Sequence, residues 1–165
     1  MKIQSNKILF QEAQYFRNTW VWTSLILSSV FSFVLVGVVL LADKESDNNL
    51  WITLGTVGGI NAINLTIFYL LGFEYIVSET GIYYKWKPFH FKYRHIPKEW
   101  IIKFYYRKWD RMQWGFTKRK DWGSCHTVNG NHGIQLELNN RKWMYIGTQK
   151  RQQLENALER MISHH

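Results

Sequence analysis

The residues able to do chemistry are few and scattered. Cys125 and His126 are adjacent, and a thiol beside an imidazole is the pair a nucleophilic enzyme would use. Successive side chains of a strand leave opposite faces, so an extended 125–128 keeps the two apart. His126 and His132 flank an Asn-Gly turn, and His90 and His95 stand five positions apart. Neither pair has the HExxH or Cys-x-x-Cys spacing of a zinc site. Gly58-Gly59 lies inside an apolar run and residues 130–133 form a turn, so no glycine loop is placed to cradle phosphate. The expectation is a non-enzymatic protein with no metal and no cofactor.

The densest mixture of charge and aromaticity is the stretch 85–95, KWKPFHFKYRH. Basic residues near an anionic leaflet gain about 1 kcal/mol each, and aromatic rings settle at the headgroup level. Lys85, Lys87, Phe89, Phe91, Lys92 and Arg94 are therefore candidate membrane-surface contacts. The plainer alternative is a half-buried edge strand whose charges are simply solvated. The same mixture could stack on bases and neutralise phosphates, but no nucleic-acid-binding motif accompanies it, and no nucleic acid is expected as a partner.

Two apolar runs must position this stretch. Residues 21–41 and 50–73 carry no charge at all, and each exceeds the roughly 20 residues that cross about 30 Å of hydrocarbon. They predict a transmembrane hairpin over 20–73, with spans of about 20–41 and 50–73. Trp20 and Trp22 fit an interfacial belt. The absence of Asp, Glu, Lys, Arg and His from both runs argues against a proton or ion pathway. The first run is too long, and starts too late, for a signal peptide.

Charge orients the hairpin. The loop 43–49 sets Lys44 against Asp43, Glu45 and Asp47, residues 1–19 set Lys2, Lys7 and Arg17 against Glu12, and these two segments cancel, so that the net charge of +9 resides in 74–165. Basic flanks stay inside, so both termini and the C-terminal domain are expected in the cytoplasm. One cysteine permits no internal disulfide, in keeping with that compartment.

Small residues recur along both spans: Ser24, Ser28 and Ser32 on the first, Gly55, Gly59 and Ala62 on the second. Such stripes let backbones approach closely. The first expectation is that the two stripes pack the hairpin against itself; the second is that the glycine face recruits a second copy or another protein. Asn61 and Asn64 fall on a different face and suit interhelical hydrogen bonding. Ahead of the first span, Leu9, Ala13, Phe16 and Trp20 share one helical face. Residues 1–19 are thus expected as an interfacial lead-in helix, or as a helical extension of the span.

From residue 74 the period changes to two. Strands are predicted at 75–78, 82–86, 102–106, 113–118, 125–128, 134–138 and 142–146. Leu154, Ala157, Leu158, Met161 and Ile162 then mark an amphipathic helix with Thr148 as N-cap.

Seven strands and a closing helix are similar to the pleckstrin-homology-like (PH-like) fold. Local words resemble a family of small bacterial membrane proteins in which a helix pair precedes a bacterial PH-like domain: Gly81-Ile82-Tyr83-Tyr84 with Pro88-Phe89, Ile96-Pro97-Lys98-Glu99-Trp100-Ile101, Trp114-Gly115-Phe116, Val128-Asn129-Gly130-Asn131-His132-Gly133-Ile134-Gln135-Leu136, and Ile146-Gly147-Thr148-Gln149-Lys150. The resemblance implies fold and location, and no reaction. Phosphoinositide recognition in eukaryotic relatives of the fold uses a basic loop between the first two strands. Here that loop, Ser78-Glu79-Thr80-Gly81, is short and acidic.

The combined expectation is an α+β membrane protein of the bacterial inner membrane: lead-in 1–19, hairpin 20–73, and a PH-like bent sheet or partial barrel over 74–165. It would serve as an adaptor for a membrane or cytoplasmic protein partner, or alternatively as a sensor of anionic lipid, with homo-oligomerisation through the glycine face as a further expectation.

Overall fold

In a computed structural model, the structure describes residues 7–17, 19–42, 50–108, 115–128 and 132–163. The acidic loop 43–49, Trp114 and the Asn129-Gly130-Asn131 turn lie outside the described residues. The chain forms two compact units. One is the helical segment Phe16–Leu70; the other joins the N-terminal residues up to Tyr15 to everything from Leu71 onward.

The helical unit holds α1 (Thr19–Ala42) and α2 (Leu50–Leu70). Both are long and apolar enough to cross a membrane, and none of the residues that qualify them is buried. Their contact is not made by the two small-residue stripes. Ser24, Ser28, Gly55, Gly59 and Ala62 all face outward, and nothing lies within 4 Å of a Cβ placed on Gly55 or Gly59. The seam is polar instead. Ser29 Oγ donates to Asn61 Oδ1 at 2.7 Å, and Asn61 Nδ2 donates to Ser32 Oγ at 3.2 Å and to the Val57 carbonyl at 2.9 Å. Ser32 is the one member of the expected packing set that reaches the seam. Hydrogen bonding outweighs close backbone approach here because an unpaired amide in an apolar setting is costly. At one end of the hairpin, Trp22 Nε1 donates to the Phe16 carbonyl at 2.9 Å and its ring meets Tyr69 edge-on at 6.5 Å.

The second unit is discontinuous, which the sequence reading missed. The expected lead-in helix is replaced by a strand, β1 (Ile8–Tyr15). It pairs antiparallel with β2 (Gly72–Ser78), from Ile8 opposite Ser78 to Tyr15 opposite Gly72. The hairpin is therefore an insertion between two neighbouring strands, and a domain boundary at residue 74 would cut β2 and discard β1. The sheet continues through β3 (Gly81–Lys87) and β4 (Arg94–Pro97) in the order β1-β2-β3-β4. Gly81, at φ +140°, makes the tight β2–β3 turn; a Cβ there would meet the Ile96 carbonyl at 2.1 Å.

A short 3-10 turn, Lys98–Trp100, leads into the second sheet. It contains β5 (Ile101–Lys108), β6 (Gly115–Arg119), β7 (Gly123–Thr127), β8 (His132–Leu138) and β9 (Trp143–Gly147). The order is β5-β8-β9-β7-β6, with β7 and β9 parallel and the other pairs antiparallel. All seven expected strands are present, and β1 and β4 make nine among the described residues, in two sheets rather than one.

The expected C-terminal helix, α3 (Arg151–Ser163), packs on β1, β2 and β8. Its buried face is Leu154, Ala157, Leu158 and Met161, and each large apolar side chain so covered contributes about 1.5–3 kcal/mol. Phe73, Tyr75 and Val77 of β2 and Ile134, Leu136 and Ile146 of the second sheet complete the core.

Candidate functional site

The basic-aromatic stretch divides into two parts with different fates. Strand alternation along β3 sends Trp86 into the core and keeps Lys85 and Lys87 half-buried. Register then decides their partner, because Glu74 of β2 lies directly opposite Lys85. The Glu74 carboxylate is paired with Lys85 Nζ at 3.1 Å and with Lys87 Nζ, and it accepts from the hydroxyls of Tyr15 and Tyr93, each at 3.2 Å. Lys85 Nζ also sits 4.3 Å from the centre of the Tyr93 ring. Burial pushes the Glu74 carboxyl up, but hydrogen bonds from Lys87 and Lys85 outweigh it and hold the group below the usual carboxylate range. In return Glu74 raises Lys87 and, against the effect of burial, Lys85. Two of the six candidate lipid contacts are thus committed to an internal ion pair.

The remaining four form an exposed tip. Residues 88–93 connect β3 to β4, closed by His90 N–H donating to the Trp86 carbonyl at 2.7 Å. His90 Nδ1 accepts from the Trp86 N–H at 3.2 Å. Phe91 is 97% and Phe89 66% exposed, and Lys92 and Arg94 are exposed beside them. Rings that open to solvent have no role in the core. Lys87 pairs with Gly72, which pairs with Tyr15. The tip therefore projects from the end of the four-stranded sheet at which the chain passes covalently into α1 and out of α2.

The histidines and the cysteine have structural surroundings. His126 is 4% exposed and stacks on Phe73 at 5.4 Å, with Tyr84 and Phe116 at 5.2 and 5.0 Å. Its Nδ1 accepts from Trp86 Nε1 at 2.8 Å, joining the two sheets. Burial first, then the charges of Arg94 and His90, lower its pKa to about 4. His126 is neutral at physiological pH. Burial pushes the Cys125 thiol up to about 11, only slightly opposed by Arg119, so the thiolate of a nucleophile is not formed. His95 stacks on Tyr83 at 4.2 Å, and His132 Nδ1 meets the Tyr106 hydroxyl. No group of three metal-ligating side chains converges among the described residues.

One buried carboxylate was illegible beforehand. Glu12 of β1 is 6% exposed. It accepts from Tyr75 Oη (2.7 Å), Thr148 Oγ1 (2.6 Å), Gln14 Nε2 (2.8 Å) and the Gln149 N–H (2.9 Å). Thr148 acts just ahead of α3, accepting the Lys150 N–H at 3.0 Å. Donors from β1, β2 and the β9–α3 link thus converge on one acid, which ties the strand leading to α1 to the helix that closes the core. The only signal in the sequence was a lone acid, Glu12, on an alternating face with Phe10 and Gln14.

In comparisons with family models, curated proteins and solved structures, the chain finds no match in any of the three.

Proposed function

We propose that the protein is a non-enzymatic adaptor anchored in a bacterial inner membrane, with a PH-like β unit in the cytoplasm that docks a membrane or cytoplasmic protein. The supporting observation is the insertion of two apolar helices between paired strands, with Tyr15 opposite Gly72. Such a double covalent attachment holds the β unit at a membrane without any soluble linker. A docking edge is available: β1 is the outermost strand of its sheet, beside a cavity of about 250 Å³ lined by Leu9, Phe10, Gln153, Asn156, Ala157 and Arg160. An extended peptide could add to β1 while its side chains settle against α3. The test is a photo-crosslinking residue at Gln153 in the full chain in native membranes. One stoichiometric protein adduct is expected; adducts to lipid alone would overturn the reading.

A second reading, anionic-lipid sensing, rests on the exposed Phe89 and Phe91 beside Lys92 and Arg94. Co-flotation of the tip with anionic vesicles would depend on these four residues and weaken with salt. Truncation of Lys85 and Lys87 would matter less, since both are already engaged by Glu74.

A further inference from the structure

The two β-hairpins of the second sheet create a feature that adaptor and lipid readings leave unused. β6 and β7 are joined by residues 120–122, and β8 and β9 by residues 139–142. Because β7 and β9 run parallel, with Ser124 opposite Met144, both turns emerge at the same end of the sheet. Gly123, at φ +71°, lets the first turn close on the second: a Cβ there would sit 1.8 Å from the Trp143 carbonyl oxygen. The second turn holds Arg141 at φ +57°, the one non-glycine in the left-handed region among the described residues. It is clamped by Arg141 N–H donating to the Leu138 carbonyl at 3.0 Å and Leu138 N–H donating to the Lys142 carbonyl at 2.9 Å.

Between the turns lies an open cavity of about 490 Å³, whose wall includes Lys118, Arg119, Lys120, Arg141, Lys142 and Trp143. Ser124 adds a hydroxyl, and no carboxylate contributes to the lining. Asp121 sits in the same turn, where its main-chain carbonyl accepts from Gln135 Nε2 at 3.1 Å, and it is not part of the lining. Several cations elsewhere in this unit have assigned partners: Lys85 and Lys87 on Glu74, Arg151 on Glu155 and over Tyr106, Arg107 over Trp122. Here Lys118, Lys120, Arg141 and Lys142 form no ion pair with a described carboxylate. These four like charges around one concavity repel one another, by about 1 kcal/mol for a pair 4 Å apart even in water. The fold gains nothing from that repulsion, since hairpin tips accept Asn, Asp or Ser equally well.

We propose that this cavity binds a small ligand bearing two or more phosphate groups. Its volume falls within the usual range of small-molecule sites. Arginine offers planar, two-pronged recognition of phosphate oxygens, and lysines add point charges. The half-buried Trp143 supplies an apolar wall for whatever the phosphates are attached to. Phosphate of this kind occurs on soluble metabolites and on lipid headgroups. Asn139 N–H donates to the Trp100 carbonyl at 2.9 Å, so the cavity belongs to the end where β4 passes into β5. The chain's connections to α1 and α2 leave the four-stranded sheet from its other end, one full length of β2 away, about 20 Å. That position favours the soluble source.

The test is calorimetry on the full chain in zwitterionic nanodiscs at physiological salt, with tripolyphosphate as the probe and sulfate as the comparison anion. One tripolyphosphate per chain is expected, with sulfate at least tenfold weaker. The pair Lys120→Glu/Lys142→Glu should weaken binding more than tenfold, and the charge-matched pair Lys103→Glu/Lys108→Glu on β5 less than twofold. Arg141→Gly relieves the backbone and keeps the fold, yet should still weaken binding, so loss of binding is separable from loss of structure. Nanodiscs carrying a doubly phosphorylated lipid provide the other arm. If they block tripolyphosphate binding in a manner that needs Lys120 and Lys142, the site stands and its source is the headgroup. Absence of saturable binding, equal loss in both charge-reversal pairs, or pocket-dependent binding of nucleic acid alone would overturn the proposal.

Discussion

The Tyr75 hydroxyl donates to the Glu12 carboxylate at 2.7 Å in the interior of the β unit, and the same oxygen accepts from Thr148 Oγ1. The negative charge in turn raises the Tyr75 phenol, already pushed up by its own burial, well above its ordinary range. Glu12 has no cation within reach among the described residues, so its charge is held by hydrogen bonds alone. Glu12→Gln replaces one acceptor oxygen by a donor and sets it against donors already in place. Bonds to a charged group contribute about 1.5–3 kcal/mol each, and the loss should lower unfolding stability by about 2–4 kcal/mol. Thermal denaturation of the full chain in detergent measures it; an unchanged midpoint would show that these hydrogen bonds add nothing net to stability.

His126 makes stability depend on pH. Its folded-state value, about 4, is below the ordinary 6.5, so the unfolded chain takes up the proton first. The stabilisation is complete above about pH 6.5 and disappears as pH falls from there toward 4, amounting to about 3 kcal/mol at most. Beside the Phe73 and Phe116 rings, the polar groups at the imidazole are the Trp86 donor and Tyr84, and the charges that act on it are those of Arg94 and His90. In His126→Asn, the amide oxygen can accept from Trp86 without titrating. The midpoint of the wild-type chain should fall between pH 6.5 and 4.5, and that of the variant should fall distinctly less. Glu74, held below the usual carboxylate range, loses its contribution only at lower pH, so the two windows separate.

The strands that alternate apolar and charged residues, such as Ile82-Tyr83-Tyr84-Lys85-Trp86 and Ile134-Gln135-Leu136-Glu137-Leu138, were legible because one face supplies the core. β1 was not legible, because its inward face is Phe10, Glu12 and Gln14. A half-polar face hides the period of two, and the residual apolar spacing of Leu9, Ala13 and Phe16 imitates a helix. What makes the polar face tolerable comes from Tyr75, Thr148 and Gln149, far along the chain. β4 is too short for a period to register. The candidate lipid residues were found as a string, but only the pairing of β2 with β3 shows that Glu74 removes Lys85 and Lys87 from it. The polar seam of the hairpin was half visible in Asn61, whereas the glycines that drew attention face outward.

The seam and the outward stripe make opposite predictions. Asn61→Leu removes the hydrogen bonds to Ser29 and Ser32, and should destabilise the hairpin by about 0.5–2 kcal/mol, the range for such bonds between apolar helices. Gly59→Ala meets no atom within 4 Å and removes a flexible residue from a helix, so stability should hold or rise by about 0.5–1 kcal/mol. Proteolytic susceptibility of the helical segment in bilayers reports both. If Gly59→Ala proves the more damaging, the glycine face is the packed one.

The insertion of the hairpin predicts how the protein can be divided. Tyr15 and Gly72 already face each other across β1 and β2, so the β unit needs only a tight connection there. Replacing residues 16–71 by Asn-Gly supplies a two-residue turn whose twist matches the flanking strands. The product keeps Phe10, Glu12 and Phe73 and should be water-soluble and unfold cooperatively. A fragment 74–165 lacks all three. It loses the fully buried Phe73 ring beneath His126 and the acid that ties Tyr75 to Thr148, and large-to-absent changes of that kind cost about 3–5 kcal/mol for an aromatic alone. Such a fragment should lack a cooperative transition. Circular dichroism and thermal melts of the two proteins decide the matter: equal stability would mean that β1 is an accessory to the domain and not part of its core.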